Sequence, residues 1–140
     1  VLAIDLGSVR VGLAISDPLG LTAQPAGRIE RRLLSHNLGP VEAIVSEHGI
    51  GTIVVGHPLL MSGVAGRSAQ EAEAFAERLA ARLACRVVLW DERLTSVQAN
   101  RALLEGDVKR RKRREVVDAA AATLLLQSWL DAQTAGSSST

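Results

Sequence analysis

Four carboxylates stand where ordinary surface acids would not. Asp5 interrupts Val1 to Leu6, a run that is otherwise wholly apolar. Asp91 and Glu92 follow directly on Arg86 to Trp90, a run of Val, Leu and Trp. Asp118 lies in a helical stretch where, at about 100° per residue, Ala121, Ala122, Leu125 and Trp129 fall within roughly 60° of it. The polar Thr123 and Gln127 fall on the other side. A solvated acid would belong with them, so Asp118 is expected on the face that buries. The competing reading of Asp118 is an acid paired with an arginine at the core edge, such as Arg93.

An ionised carboxylate in a buried strand is costly unless something positive pairs with it, and Val1 to Leu6 contains no Lys or Arg. Acids drawn from the first strand, a later strand end and the last helix would repel one another on meeting, raising their pKa values unless divalent cations neutralise them. Oxygen-only ligands suit hard cations, Mg²⁺ or Mn²⁺. Two such ions at a phosphodiester can activate water and stabilise the leaving oxygen. Only one of Asp91 and Glu92 can face a given side of a strand, and their neighbours alone do not say which.

A second feature points to the same chemistry. Residues Lys109, Arg110, Arg111, Lys112, Arg113 and Arg114 are six consecutive cations in a chain of net charge only +1, which leaves the rest net negative. A concentrated basic block in a near-neutral protein suits an anionic polymer more than a small ligand. Cations just before a helix oppose its macrodipole, so a local structural benefit explains them poorly. A solvated linker is the plainer alternative.

Other chemistries find little support. His36, His48 and His57 are scattered, without zinc-type spacing. No serine sits in a nucleophile elbow and no Walker-type loop occurs. The aromatic residues are Phe75, Trp90 and Trp129, the tryptophans on core-like faces, so base stacking is not expected.

The elements that must position these groups follow from periodicity and punctuation. Val1 to Leu6 and Val11 to Ile15 read as an antiparallel hairpin turning at Gly7 and Ser8, with Arg28 to Glu30 as a short third strand. Pro40 to His48 reads as a helix stopped by Gly49, and Ile50 to Gly56 as a buried parallel strand. After the glycine-containing loop Met61 to Arg67, Ser68 and Glu71 form a capping box for a helix with an apolar stripe from Ala72 to Leu83. Arg86 to Trp90 is a strand. A helix capped by Thr95 or Ser96 runs to Glu105, and a last helix from Glu115 to about Asp131. The fold class is α/β, a mixed sheet with an antiparallel start, parallel later strands and helices on both faces.

The 140 residues read as one domain, 1–132, followed by a polar tail at 133–140 that is Ser-rich and expected to be disordered. No apolar run reaches membrane-span length, no signal-type segment opens the chain, and the lone Cys85 fits a reducing cytoplasm. The chain opens on Val1, so a residue or two is expected upstream.

Four stretches resemble the YqgF/RuvX family of RNase H-like nucleases: Ala3–Asp17, Ile53–Leu59, Val87–Thr95 (Val-Val-Leu-Trp-Asp-Glu-Arg-Leu-Thr) and Val116–Ala122. They occur in order over nearly the whole chain, to about Leu130, and are specific in combination. The resemblance implies an RNase H-like fold with Asp5, Glu92 and Asp118 as metal-binding carboxylates; Glu92 is favoured over Asp91 because similar resolvases carry Glu at that strand end. The chain departs from the family's loop at Leu60, Ser62 and His57.

The implied activity is a metal-dependent endonuclease on structured nucleic acid, foremost precursor 16S rRNA. Arg10, Arg67, Arg93 and the 109–114 run would hold phosphates. The alternative is a resolvase of four-way DNA junctions, which needs a two-fold homodimer. A non-catalytic nucleic-acid-binding module is a further alternative, disfavoured because all three acids are retained. A sugar-kinase-like ATPase would need a second lobe that 140 residues cannot supply.

Overall fold

The computed structural model describes residues 1–95 and 110–138, with side chains from 120 to 134 in the second segment. Five strands form one sheet in the order β3-β2-β1-β4-β5. They are β1 Leu2–Leu6, β2 Arg10–Ser16, β3 Ala23–Glu30, β4 Thr52–His57 and β5 Arg86–Asp91. The first three pair antiparallel, whereas β4 runs parallel to both β1 and β5. Among the described residues they are accompanied by the α-helices α1 Arg31–Leu34, α2 Gly39–His48, α3 Arg67–Arg82 and α4 Arg110–Ser138. The expected mixed α/β sheet is therefore observed.

Alternation along the strands divides the core in two. Leu2, Ile4, Ile53 and Val55 face Val41 of α2 and Phe75 and Leu79 of α3. Ala3, Ala14 and Val54 face Leu125, Leu126 and Trp129 of α4. Small residues on that second face let α4 approach the sheet closely, and the side chains of α4 supply most of the bulk. The predicted burial of Ala121, Ala122, Leu125 and Trp129 is observed, broadened by Leu126 and Leu130.

Several boundaries differ from expectation. The third strand is eight residues long, not three, and runs through Pro25 with an irregular register at Leu13/Ala14. It is an edge strand, where a missing N–H is tolerated. Gln127, expected to point into solvent, accepts from Ala23 N at 2.9 Å and donates to Leu21 O at 3.0 Å, tying α4 to that edge. The capping box is replaced by a start at Arg67 with Gly66 as N-cap and no side-chain cap bond. Glu71 is instead drawn away by Arg31 and Arg67.

The last helix extends beyond the predicted span at both ends, beginning within the basic run and passing the expected tail boundary at 133. Once nucleated by a buried stripe, a helix propagates at little cost past its last apolar residue. The helix predicted from Thr95 or Ser96 to Glu105, and its stop at Gly106, lie outside the described residues. None of the described helices is long and apolar enough to cross a membrane.

Candidate functional site

Asp5 is the buried charged residue among those described, only 5% exposed. It lies two residues after Ala3 in β1 and so points to the same face, the one covered by α4. Its cross-strand partner in β2 is Gly12. On the other side β1 and β4 are in register at Ile4 and Val55, and one step further the register brings Asp5 level with Gly56, a neighbouring strand about 4.8 Å away.

Glu92 reaches the same place from β5. The strand ends at Asp91, and Glu92 opens a 3₁₀ turn, Glu92–Leu94, that the sequence did not announce. A Cβ on Gly56 would lie 2.5 Å from Glu92 Oε1 and 3.3 Å from Leu125 Cδ2. The Glu92 carboxylate therefore fills the space that a side chain at position 56 would need, beside Asp5 and beneath α4. Sequence reasoning passed over Gly56 as a mere strand end. The available signal was an isolated glycine inside a buried strand, which marks close approach of another group.

Asp91 goes the other way. Alternation puts it with Val87 on the α3 face, next to His57, its register partner in β4. Its carboxylate accepts from Arg93 Nη2 at 2.8 Å, from Arg93 Nε at 3.1 Å and from the Arg93 backbone N–H at 2.9 Å. His57 Nε2 is 3.6 Å from Glu73 Oε2 on α3. The choice between adjacent acids that the sequence left open is thus a matter of pleat: Glu92 joins Asp5, and Asp91 caps its own turn.

Asp118 lies within α4, three, four and seven residues before the buried Ala121, Ala122 and Leu125. Its side chain lies outside the described residues, as do those of Arg110 to Arg114; Lys109 lies outside them altogether. Among the described residues no three His, Cys, Asp or Glu side chains form a metal-holding group. Of the expected ligands, Asp5 and Glu92 have described side chains, both on the face covered by α4. Of the other expected cations, Arg10 begins β2 half-buried, Arg67 begins α3 with its side chain 94% exposed, and Arg93 is engaged by Asp91.

Arg31, which the sequence did not single out, braces the turn after β1. It donates to Gly7 O at 3.0 Å and to Glu71 Oε2 at 2.8 Å. The Arg31 guanidinium holds the Glu71 carboxyl below its ordinary value, and hydrogen bonding from Arg93 does the same for Asp91. A carboxyl whose pKa is lowered on folding contributes stability that is full above its unfolded pKa and lost as the pH falls through the folded one. The melting temperature should accordingly hold above about pH 4.5 and drop on acidification below about pH 4. In Glu71→Gln that acid limb should be shallower, as read from melting curves across the pH range.

The family model described as "RuvX: Holliday junction resolvase" matches residues 1–132. A Myxococcus xanthus protein named "Putative pre-16S rRNA nuclease" is 47% identical over 131 residues, covering 94% of this chain and 87% of its own. Proteins of the same name from Moorella thermoacetica and Geobacillus kaustophilus are 44% and 45% identical, covering 94% of this chain and 94% and 97% of their own. Two solved structures share the fold at low identity. Fowlpox virus resolvase, in complex with Holliday junction DNA, superposes with a TM-score of 0.56 at 9% identity, over 94% of this chain and 97% of its own. T. thermophilus RuvC, in complex with a Holliday junction substrate, gives 0.56 at 13% identity, over 95% of each chain. With a family model spanning nearly the whole chain and relatives above 40% identity across it, this chain belongs to the RuvX family.

Proposed function

We propose that the protein is a divalent-metal-dependent endonuclease of structured nucleic acid, with the 5′ end of precursor 16S rRNA as its substrate in the cytoplasm. The observation that carries the reading is the Glu92 carboxylate seated over Gly56 beside buried Asp5. Gly12 and Gly56 stand level with Asp5 on the adjacent strands, and the absence of a side chain at Gly56 is what admits the Glu92 carboxylate. A buried acid and a second carboxylate in a glycine-lined space offer oxygen donors only, which fits Mg²⁺ or Mn²⁺ and not zinc or copper.

Asp5 and Glu92 would hold the metal, with Asp118 completing the set from α4. When bound, the ions supply a deprotonated water nucleophile and neutralise charge on the leaving oxygen. The protein's own part is positional. β1 and the 3₁₀ turn fix two carboxylates on one face, and α4 shields that face from bulk water. Arg10, Arg67 and the cations at 109–114 would bind phosphates, setting the strand in register without reading bases. Arg93 would help through Asp91, keeping the turn that aims Glu92.

The second reading, resolution of four-way DNA junctions, draws support from the two structural neighbours, both resolvases bound to such junctions. It requires a two-fold dimer presenting two sites. A side-by-side cleavage assay with Mg²⁺ or Mn²⁺, on precursor rRNA ends and on four-way junctions, separates the two. Glu92→Gln should abolish cutting of whichever substrate is used. Asp91→Asn should lower the melting temperature, by loss of the Arg93 bonds, while cutting persists at a reduced rate. If the two substitutions behave in the opposite sense, Asp91 is the ligand and the assignment by pleat is wrong.

A further inference from the structure

The connection between β4 and α3 displays apolar side chains that the core does not use. Leu60 is 54% exposed and Met61 90%. Their loop is nonetheless built: Leu60 N donates to Val64 O at 3.0 Å, Gly63 N to Leu60 O at 2.8 Å, and Gly63 sits at φ +87°. Arg93 Nη1 reaches across to Met61 O at 3.4 Å. Between this loop and the 3₁₀ turn lies a cleft of about 720 Å³, lined by Leu59, Leu60, Met61, Arg67, Glu92 and Arg93 among others. Glu92 is thus common to the cleft and to the proposed metal centre.

We propose that this cleft receives one unpaired nucleotide adjoining the scissile phosphate, its base against Leu60 and Met61. The enzyme would then favour bulges, branch points and duplex ends over continuous duplex. The inference rests on the endonuclease reading and adds the substrate feature that it leaves open. Three properties of the cleft select this occupant. The volume lies in the range of about 300–1,000 Å³ that encloses one small molecule. A duplex, with two backbones and stacked base pairs, cannot enter a space suited to one small molecule. An aliphatic lining suits the face of a base better than a phosphate, and burial of that face is favourable whatever the base.

Charge agrees. Arg67 and Arg93 both line the cleft, each paired with a carboxylate, Glu71 at 3.3 Å and Asp91 at 2.8 Å. Arg67, whose side chain is 94% exposed and whose bond runs through Nε, is the one placed to turn its guanidinium to a phosphate. Aromatic stacking is not required: Phe75 and Trp129 are buried, and Trp90 donates to Ser128 Oγ at 3.1 Å. Selectivity arises because taking a base out of a helix costs least where it is already unpaired.

The test uses the 140-residue chain carrying Asp5→Asn, so that substrate is bound without being cut. Fluorescence anisotropy compares two RNA duplexes of one sequence, one continuous and one with a single unpaired 2-aminopurine. The bulged duplex should bind at least about fivefold tighter, with a change in 2-aminopurine emission. Met61→Ser, at a position too exposed to matter for folding, should weaken that preference, and Met61→Ser with Leu60→Ser should abolish it. Mn²⁺ binding to the otherwise wild-type chain, followed by calorimetry, should be unchanged by either. Equal affinity for both duplexes, or a preference that survives the double substitution, overturns the assignment. If the preference behaves as stated while the wild-type protein takes up no Mn²⁺ and cuts nothing, the endonuclease reading falls and the cleft stands.

Discussion

Asp5→Asn should reduce cleavage by more than about 100-fold, the cost of disturbing merely an outer-shell partner of a metal ligand. Asp5 is buried at the centre of the sheet and shares its face with the Glu92 carboxylate. Asparagine keeps the shape and one oxygen but removes the charge. Mn²⁺ affinity should fall in parallel with the rate, because asparagine offers the ion one neutral oxygen in place of a carboxylate. Cleavage rates and metal titration on the same preparations make the check. A variant that keeps wild-type rate and metal affinity would remove Asp5 from the site and leave the hydrolytic proposal without its anchor.

Gly56→Ala should separate function from folding more sharply still. The added Cβ would lie 2.5 Å from Glu92 Oε1, 3.2 Å from its carboxyl carbon and 3.3 Å from Leu125 Cδ2. The Glu92 carboxylate is the far end of a flexible side chain on a half-exposed turn, so it can swing aside. Leu125 needs to give by only a few tenths of an ångström. Folding should therefore lose only about 1 kcal/mol, the low end for an overfilled site. The displaced carboxylate would no longer sit beside Asp5, and cutting should drop by at least about tenfold with a weakened Mn²⁺ response. A rate that stays at wild type would mean that Glu92 acts from elsewhere or not at all.

Much of this arrangement is legible in one dimension. A carboxylate within Val1 to Leu6 has no plausible ordinary role, and an apolar run of that length bounded by glycine is a buried strand wherever it packs. The stripe Ala121, Ala122, Leu125 and Trp129 identifies the inner face of the last helix because helical geometry is nearly invariant. The errors fall where local pattern is outvoted by contacts far along the chain. Glu71 fits a capping box by spacing, yet Arg31, forty residues earlier, binds it instead. Gln127 looks solvent-facing on a helical wheel, yet the start of edge strand β3 and the turn before it lie within reach and use both ends of its amide, at Ala23 and Leu21.

What the sequence by itself determined is which residues are anomalous: a buried acid, an acid pair at a strand tip, an acid on an apolar helix stripe, and a block of cations. Periods of 2 and 3.6 are local, and so is the expense of a charge within an apolar run. What only the tertiary structure decided is that Asp91 turns back to cap its own turn while the Glu92 carboxylate fills the space over Gly56, a division the residue pattern left open and only the family resemblance had favoured. Those outcomes depend on the register between β1, β4 and β5 and on the turn after Asp91, set by pairings some fifty and thirty-five residues apart in the chain. No local pattern encodes such pairings, because a single-residue slip would send every side chain of a strand to the opposite face.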